Sequence, residues 1–200
     1  MLARFSTAFN RKIVVIYPGE FYVSSTDIIA TVLGSCISVC IRDKKHGIGG
    51  LNHFMLPGDT RCIDLFISPS AKYGMFAMEL LINELLKKGC SKNHFEAKVF
   101  GGGHVINFRK SWDSVPESNI DFIMSFLKME QIPLVNYDVG GYAGRKILFF
   151  PDSGRVLLKK LPSTVDARII QEEESYRKRI SREKDVLQTL GGDLTLFERS

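Results

Sequence analysis

The sequence predicts a mixed α/β fold with largely antiparallel sheets, two main helices and a further helix at the C-terminal end. Short apolar runs rich in β-branched residues alternate with Gly- or Pro-containing turns along residues 13–161. Two longer segments instead repeat their apolar residues at steps of three and four, which is the helical period. Most links between the apolar runs are shorter than the roughly dozen residues of a parallel crossover, so most neighbouring strands must be antiparallel.

The predicted strands are roughly eight in number and short. The nine apolar runs that predict them cover residues 13–18, 20–23, 28–33, 36–41, 48–56, 97–100, 132–139, 146–150 and 155–160. The sequence PDSG joins the last two into a hairpin. Gly49 and Gly50 interrupt an apolar run, which indicates a bulge or a close approach of the backbone to another part of the chain.

Two segments have the apolar pattern of amphipathic helices. The first covers residues 69–88 and ends before Gly89, a residue type favoured just after a helix. The second covers residues 118–130, with Ser118 or Asn119 as its N-cap. Both helices therefore have one face available for packing on a sheet.

The chain divides into three parts by composition. We expect a flexible leader over residues 1–12, one domain over residues 13–162 and a charged helical extension over residues 163–200. The extension has a sparse apolar stripe, which Glu173 and Glu183 interrupt. Its members are Ile169, Tyr176, Ile180, Leu187 and Leu190. This pattern fits a helix packed on the domain or partly free of it, or a helix that binds a partner or dimerises.

The amino-acid composition and net charge exclude several classes of protein. Hydrophobic residues make up 44% and charged residues 24%, as in an ordinary globular protein. No apolar run approaches the roughly 18 residues of a membrane-spanning helix, and the first residues lack a signal-peptide pattern. We therefore expect a cytoplasmic protein without membrane insertion. The net charge of +5 comes without a dense Lys/Arg run with interleaved aromatic residues, so nucleic-acid binding is not predicted.

The cysteines raise the question of a reactive thiol. Their positions are Cys36, Cys40, Cys62 and Cys90. We expect them to be reduced, and their spacing fits no common zinc pattern, so no metal site is predicted. For three of the four, a buried and inert thiol is the simplest interpretation.

Cys36 differs from the other cysteines because of its neighbours in the sequence. Gly34 and Ser35 are small and leave backbone N–H groups free to bind an oxyanion. A thiol nucleophile also needs a base, and His53 stands after Gly49-Gly50 in an apolar run that we expect to pair with the Cys36 strand. Spacing alone leaves a catalytic Cys36–His53 pair and two unrelated core residues about equally supported.

Five segments together resemble the chemoreceptor glutamine deamidase family (CheD) of chemotaxis proteins. They are LGSCISVCIRD (33–43), GIGGLNHFMLP (47–57), AKVFGGG (97–103), IPLVNYDVGGYAGRKILF (132–149) and SGRVLLKKL (153–161). The resemblance covers about residues 13–161, and the segments stand in the order of the family. It implies a layered α/β fold similar to bacterial toxin deamidases, and hydrolysis of glutamine side-chain amides of chemoreceptors to glutamate in chemotaxis adaptation.

The resemblance also implies a Cys–His–Thr set of catalytic residues without a cofactor. Cys36 and His53 match the family directly, whereas the threonine is expected six residues before the cysteine, where this chain has Ala30. Thr31 stands one residue later and is the candidate. Thr26, Ser38 or a backbone carbonyl are the alternatives for orienting the histidine.

The implied partners are the cytoplasmic helices of methyl-accepting chemotaxis proteins and a CheC-type phosphatase. Residues 104–119 and the extension depart from the family pattern. Two other functions stay open at this point. One is a catalytically weak docking module for chemotaxis partners. The other is a different Cys–His acyl-transfer enzyme, such as a thiol protease or a transglutaminase-like enzyme.

Overall fold

The computed structural model describes residues 1–56, 69–105, 115–161, 171, 173–176 and 178–180. The strands are β1 (Leu2–Ser6), β2 (Arg11–Val15), β3 (Phe21–Ser24), β4 (Ile28–Leu33), β5 (Ile37–Asp43), β6 (Ile48–Asn52), β7 (Phe95–Gly101), β8 (Leu134–Val139), β9 (Gly144–Phe150) and β10 (Arg155–Leu161). The helices are α1 (Pro69–Lys87) and α2 (Val115–Met129), with a short 3-10 helix at Lys92–His94. Among the described residues, none of the helices has the length and apolar character needed to cross a membrane.

The strands form two five-stranded sheets. The outer sheet has the order β1-β2-β4-β9-β10, and the inner sheet has the order β3-β6-β5-β7-β8. Only β2–β4 and β7–β8 are parallel pairs among these strands, so the prediction of largely antiparallel sheets is confirmed. The predicted hairpin is also confirmed, since β9 and β10 pair from Phe150–Arg155 onward.

Alternation along the strands creates three layers. One face of the inner sheet packs on α1 and α2 through residues such as Val39, Leu81 and Phe122. Its other face packs on the outer sheet through a second buried cluster that includes Cys40 and Phe149. Successive strand residues point to opposite faces, so the inner strands β3, β5, β6 and β7 contribute to both clusters. The mixed α/β fold predicted from the sequence is therefore confirmed, as two sheets with α1 and α2 packed on one face of the inner sheet.

The paired glycines of β6 explain how closely these layers approach. A Cβ on Gly49 would lie 2.9 Å from the Phe149 ring, and one on Gly50 would lie 2.6 Å from Leu81 Cδ1. Gly49 thus permits contact with the outer sheet, and Gly50 permits contact with α1. The close approach of the backbone that the sequence indicates is confirmed.

Two predictions about element boundaries are wrong. The leader is not loose, because β1 pairs antiparallel with β2 from Leu2–Val15 to Ser6–Arg11. Its side chains are largely exposed, so the pairing depends on backbone hydrogen bonds and leaves no apolar pattern in the sequence. The second helix begins at Val115, before the expected caps. Pro116 is tolerated in a first helical turn because its missing N–H has no partner there anyway.

Candidate active site

The pairing of β5 with β6 brings Cys36 and His53 together. Cys36 immediately precedes β5 and His53 immediately follows β6. The two strands pair antiparallel, and an isolated bridge between Ile37 and Phe54 extends the pairing to the residues beside the cysteine and the histidine. Cys36 is fully buried and His53 is 2% exposed. The expectation that these two segments pair is confirmed.

A hydrogen bond to Thr31 fixes the position of the proton on the imidazole. Thr31 Oγ1 donates its single proton to the Ile16 carbonyl at 2.8 Å. The same oxygen lies 2.8 Å from His53 Nδ1, so Nδ1 must be the donor in that contact. The neutral imidazole therefore carries its proton on Nδ1. Nε2 is left with a free lone pair and has no hydrogen-bond partner among the described residues.

Ala30 and Thr31 lie on opposite faces of β4, and only one of these faces is directed towards His53. Ala30 packs with Ile13, Ile28 and Phe150 on the side of the outer sheet away from Cys36. Thr31 points to the opposite side by strand alternation, towards the histidine. The one-residue offset from the family pattern therefore does not remove the orienting hydroxyl.

The alternative orienting residues lie elsewhere. Ser38 Oγ donates to the Asn52 carbonyl. The backbone N–H of Thr26 donates to Ser24 Oγ at an exposed turn. Of the hydroxyls proposed from the sequence, only that of Thr31 contacts His53 among the hydrogen bonds of the described residues.

The backbone of residues 34–36 is held by its carbonyl groups. Each of the three carbonyl oxygens accepts a hydrogen bond from a neighbouring segment. The donors are Gly103 N for Gly34 O at 2.7 Å, Asn119 Nδ2 for Ser35 O at 3.0 Å and Gly102 N for Cys36 O at 2.8 Å. With the carbonyls fixed from outside, the three N–H groups turn towards one point beside the thiol.

The side chain of Glu173 occupies that point. Oε1 accepts hydrogen bonds from Gly34 N at 2.9 Å and Cys36 N at 3.2 Å. Oε2 accepts from Ser35 N at 3.1 Å and Ser35 Oγ at 2.6 Å. Glu173 is 2% exposed, so its carboxylate is buried against these four donors. The three consecutive N–H groups therefore bind a carboxylate here. That Gly34 and Ser35 also bind the oxyanion of a reaction stays a prediction.

Burial changes the acidity of both Cys36 and His53, and the nearby carboxylate affects that of Cys36 as well. Burial raises the pKa of the Cys36 thiol well above its ordinary value, and the charge and hydrogen bonding of Glu173 raise it further. Burial lowers the pKa of His53 to about 3. With Glu173 in place, the neutral thiol and the neutral imidazole are therefore the favoured forms at neutral pH.

The ligand atoms of Cys36, His53 and Glu173 lie within 4.8 Å of one another. Sulfur, imidazole nitrogen and carboxylate oxygen are a donor set that zinc accepts. Both carboxylate oxygens already accept two hydrogen bonds each, and Nδ1 of the histidine is engaged with Thr31. The expectation that the protein uses no metal stays a prediction, which elemental analysis of the purified protein can check.

The remaining cysteines divide into two groups. Cys40 and Cys90 are buried free thiols, and burial raises the pKa of each. Neither has an imidazole contact among the hydrogen bonds and ion pairs of the described residues. Cys62 lies outside the described residues.

Sequence reasoning misses two residues that shape the site. The sequence makes Asn119 a cap of α2, whereas its side chain donates to Ser35 O and accepts from Leu56 N at 2.8 Å. The sequence makes Glu173 an interruption of an apolar stripe, whereas it is buried on the same helical face as Tyr176. Its spacing to Tyr176 and Ile180 is the available signal, because the three positions share one side of a helix.

Comparisons with known proteins identify the family of the chain. Residues 55–160 match the family model described as CheD chemotactic sensory transduction. A relative from Methylobacillus flagellatus, named probable chemoreceptor glutamine deamidase CheD, is 45% identical over 96% of this chain and 93% of its own length. A relative of the same name from Janthinobacterium sp. is 43% identical over 96% of this chain and 93% of its own length. A relative from Shewanella oneidensis, named probable chemoreceptor glutamine deamidase CheD 1, is 42% identical over 94% of this chain and 89% of its own length. The chain therefore belongs to the CheD family of chemoreceptor glutamine deamidases.

Proposed function

We propose that this protein hydrolyses glutamine side-chain amides of chemoreceptors to glutamate, with release of ammonia, in chemotaxis adaptation. The observation that carries the proposal is the meeting of three groups in one buried place. They are the Cys36 thiol, the unprotonated Nε2 of His53 and the N–H groups of residues 34–36. The relatives' names supply the substrate class.

The first half of the reaction forms a thioester. His53 Nε2 takes the Cys36 proton, and the thiolate attacks the carbonyl carbon of the glutamine side chain. The developing oxyanion is bound by the N–H groups of residues 34–36, each donor contributing on the order of 100-fold in rate. Protonated His53 then gives its proton to the leaving nitrogen, the C–N bond breaks and ammonia departs.

The second half of the reaction returns the enzyme to its starting state. Water gives a proton to His53 Nε2 and attacks the thioester carbon. The C–S bond breaks, glutamate is released, and the proton returns to Cys36. Thr31 holds the imidazole in the tautomer that both halves require, so we assign it the role of a positioning residue. No step needs an organic cofactor or a metal.

The proposed partners come from membership of the family. The substrate is a cytoplasmic helix of a methyl-accepting chemotaxis protein, and a CheC-type phosphatase is the proposed regulatory partner. A net charge of +5 is compatible with the acidic surface of such helices. We place the reaction in the cytoplasm, where a reducing environment keeps a catalytic thiol reduced.

The test is co-expression of the protein with a cytoplasmic fragment of a chemoreceptor, and then mass spectrometry of the fragment. We expect glutamine residues to gain about one dalton, because an amide becomes an acid, with ammonia released in equal amount. Cys36→Ala should abolish both signals while the far-ultraviolet circular dichroism stays unchanged. Cys90→Ala, which removes a buried thiol on the helix side of the inner sheet, is the matched control and should keep activity.

Different products would assign a different activity. Peptide-bond cleavage or incorporation of an added amine, in place of ammonia release, would identify a thiol protease or a transglutaminase-like enzyme. Turnover by the Cys36→Ala variant would remove Cys36 from the role of nucleophile. A wild-type protein that binds the fragment but leaves its mass unchanged would be a docking module.

A further inference from the structure

One face of the C-terminal helical segment is buried at the active site. Residues 171, 173–176 and 178–180, here called the tail helix, are helical. Glu173, Tyr176 and Ile180 are 2%, 4% and 2% exposed. They are separated by three and four residues and therefore lie on one side of the helix. Ser175 and Lys178 are exposed, so the tail helix is amphipathic and has its buried side towards the domain.

Tyr176 fits a site prepared by two parts of the domain. Its hydroxyl hydrogen-bonds that of Tyr73 on α1. A Cβ on Gly19 would lie 2.7 Å from the Tyr176 ring, so the ring packs directly on the backbone there. Gly19 N in turn donates to the His53 carbonyl at 2.7 Å. The tyrosine thus packs on the turn that is hydrogen-bonded to the backbone of His53.

The carboxylate of Glu173 has the chemistry of the reaction product. A deamidated glutamine is a glutamate side chain, and its two oxygens would be left beside the thiol after the thioester is hydrolysed. Glu173 places two such oxygens on the N–H groups of residues 34–36 and on Ser35 Oγ. A Cβ on Gly34 would lie 2.9 Å from Oε2, so a residue larger than glycine at this position would meet the carboxylate.

We propose that the tail helix is an internal, product-like ligand of the active site, and that a substrate helix replaces it with a glutamine at the position of Glu173. This inference rests on the proposed deamidase function and specifies both its substrate and its control. The substrate side chain is presented from an α-helix. That helix has an aromatic or large apolar residue three positions after the glutamine and an apolar residue seven positions after it.

The contact of Glu173 with residues 34–36 also inhibits the enzyme. While Glu173 fills the oxyanion site, no substrate carbonyl can enter it, and Cys36 is sealed from solvent. Binding of substrate then requires release of the tail helix, which lowers the apparent affinity by the fraction of molecules that are open.

Replacing Glu173 with glutamine turns the internal ligand into an internal substrate. The amide oxygen at the position of Oε1 accepts from Gly34 N and Cys36 N, and the amide nitrogen then opposes only Ser35 N while donating to Ser35 Oγ. The reversed orientation sets the amide nitrogen against two N–H donors instead of one. The favoured orientation therefore puts the carbonyl oxygen in the oxyanion site and leaves its carbon open to the thiol.

The reaction of this glutamine is balanced by groups already present. A bond forms between Cys36 Sγ and the side-chain carbon of residue 173, and the C–N bond breaks. The thiol proton passes through His53 to the leaving nitrogen, and ammonia departs. Water then hydrolyses the thioester, which restores the thiol and leaves a glutamate at position 173.

The decisive experiment is mass spectrometry of peptides from the purified full-length Glu173→Gln protein. We expect residue 173 to be recovered as glutamate, with a gain of about one dalton that is absent when Cys36→Ala is combined with Glu173→Gln. Glu174→Gln is the matched control, because it changes the neighbouring glutamate, which makes none of the Glu173 contacts. Residue 174 should stay glutamine.

A second measurement tests the control exerted by the tail helix. Glu173→Ala should raise turnover of a receptor fragment at subsaturating concentration, and the rate of Cys36 alkylation by iodoacetamide, each on the order of tenfold. Glu174→Gln should leave both rates unchanged.

The outcomes separate this inference from the proposed function. An unchanged glutamine at position 173, in a folded preparation that still deamidates the receptor fragment, overturns the inference and leaves the function standing. Conversion of residue 174 to a similar extent also overturns it. If the wild-type protein has no deamidase activity at all, the function fails, and the inference fails with it.

Discussion

At the scale of single residues, the site depends on where one proton lies. Thr31 gives its proton to the Ile16 carbonyl and therefore can only accept from His53 Nδ1. This arrangement leaves Nε2 free to take the proton of Cys36. Because the hydroxyl acts through the imidazole, we expect its removal to affect turnover more than binding of the substrate.

Removing that hydroxyl tests the assignment. Thr31→Val keeps the shape of the side chain but frees His53 Nδ1, so the wrong tautomer becomes available. We expect kcat to fall about 10- to 100-fold with KM nearly unchanged. The lost hydrogen bonds should also lower the free energy of unfolding by about 1–3 kcal/mol, measured by urea denaturation. Thr31→Ser retains the hydroxyl and should recover most of the activity, and failure of this rescue would argue against the orienting role.

At the scale of elements, the turn after β7 holds the loop of residues 34–36 in place. Gly102 N and Gly103 N donate to the carbonyls of Cys36 and Gly34, so the turn orients the N–H groups of that loop. Gly101 has a φ of 113°, and a Cβ there would lie 2.1 Å from the Cys36 carbonyl oxygen. Both the backbone conformation and the space at this position require glycine.

A pair of substitutions separates these two requirements. Gly89 also has a positive φ, of 84°, but nothing lies within 4 Å of an added Cβ. Gly89→Ala should therefore cost about 1–2 kcal/mol, from the backbone conformation alone. Gly101→Ala adds the collision with Cys36, and we expect a total cost of roughly 3 kcal/mol, or a Tm lower by about 10 °C in thermal unfolding. Equal Tm values for the two variants would show that the backbone near Gly101 moves away from the added Cβ at no cost in stability.

At the scale of the whole molecule, the packing of two sheets and the tail helix buries the reactive pair. Cys36 belongs to the cluster between the sheets, together with Ile29, Phe100 and Tyr176. The resulting loss of solvation favours the neutral forms of the thiol and the imidazole. The arrangement that assembles the site therefore also makes it unreactive until the tail helix leaves.

The buried imidazole makes stability depend on pH. The pKa of His53 is lowered from an ordinary 6.5 to about 3, so the unfolded chain binds a proton below pH 6.5 that the folded protein does not bind. The contribution of the neutral His53 to the free energy of unfolding is fully present above pH 6.5. It is lost as the pH falls from 6.5 towards 3, by up to about 1.4 kcal/mol per pH unit. Urea denaturation between about pH 7 and 5.5 should show this slope.

The comparison protein for this measurement is His53→Gln. It keeps the other three histidines, so the difference between the two slopes belongs to His53 alone. A slope in the variant as steep as that of the wild type would mean that His53 is protonated in the folded state.

Local patterns in the sequence determined the elements and the pairing of the segments that carry Cys36 and His53. Strand β4 has the predicted bounds of residues 28–33, and α1 ends one residue before the predicted end. These features are readable because a strand or an amphipathic helix repeats its apolar residues over a few neighbouring positions. That Cys36 and His53 lie close together is predictable for a similar reason, since a single strand–turn–strand unit joins them. Their role as a candidate pair came from the resemblance to the family.

Only the tertiary structure decided what completes the site. Glu173 is separated from Gly34 by 139 residues, and Asn119 is separated from Ser35 by 84 residues, so no local period relates them. The exposed strand β1 depends on backbone pairing, which leaves no mark in the side chains. Thr31 and Ala30 are neighbours in sequence, and the strand's orientation between two layers decided which of them meets the histidine. Sequence periodicity specifies the faces of the elements, whereas contacts between distant segments are specified by how those faces pack.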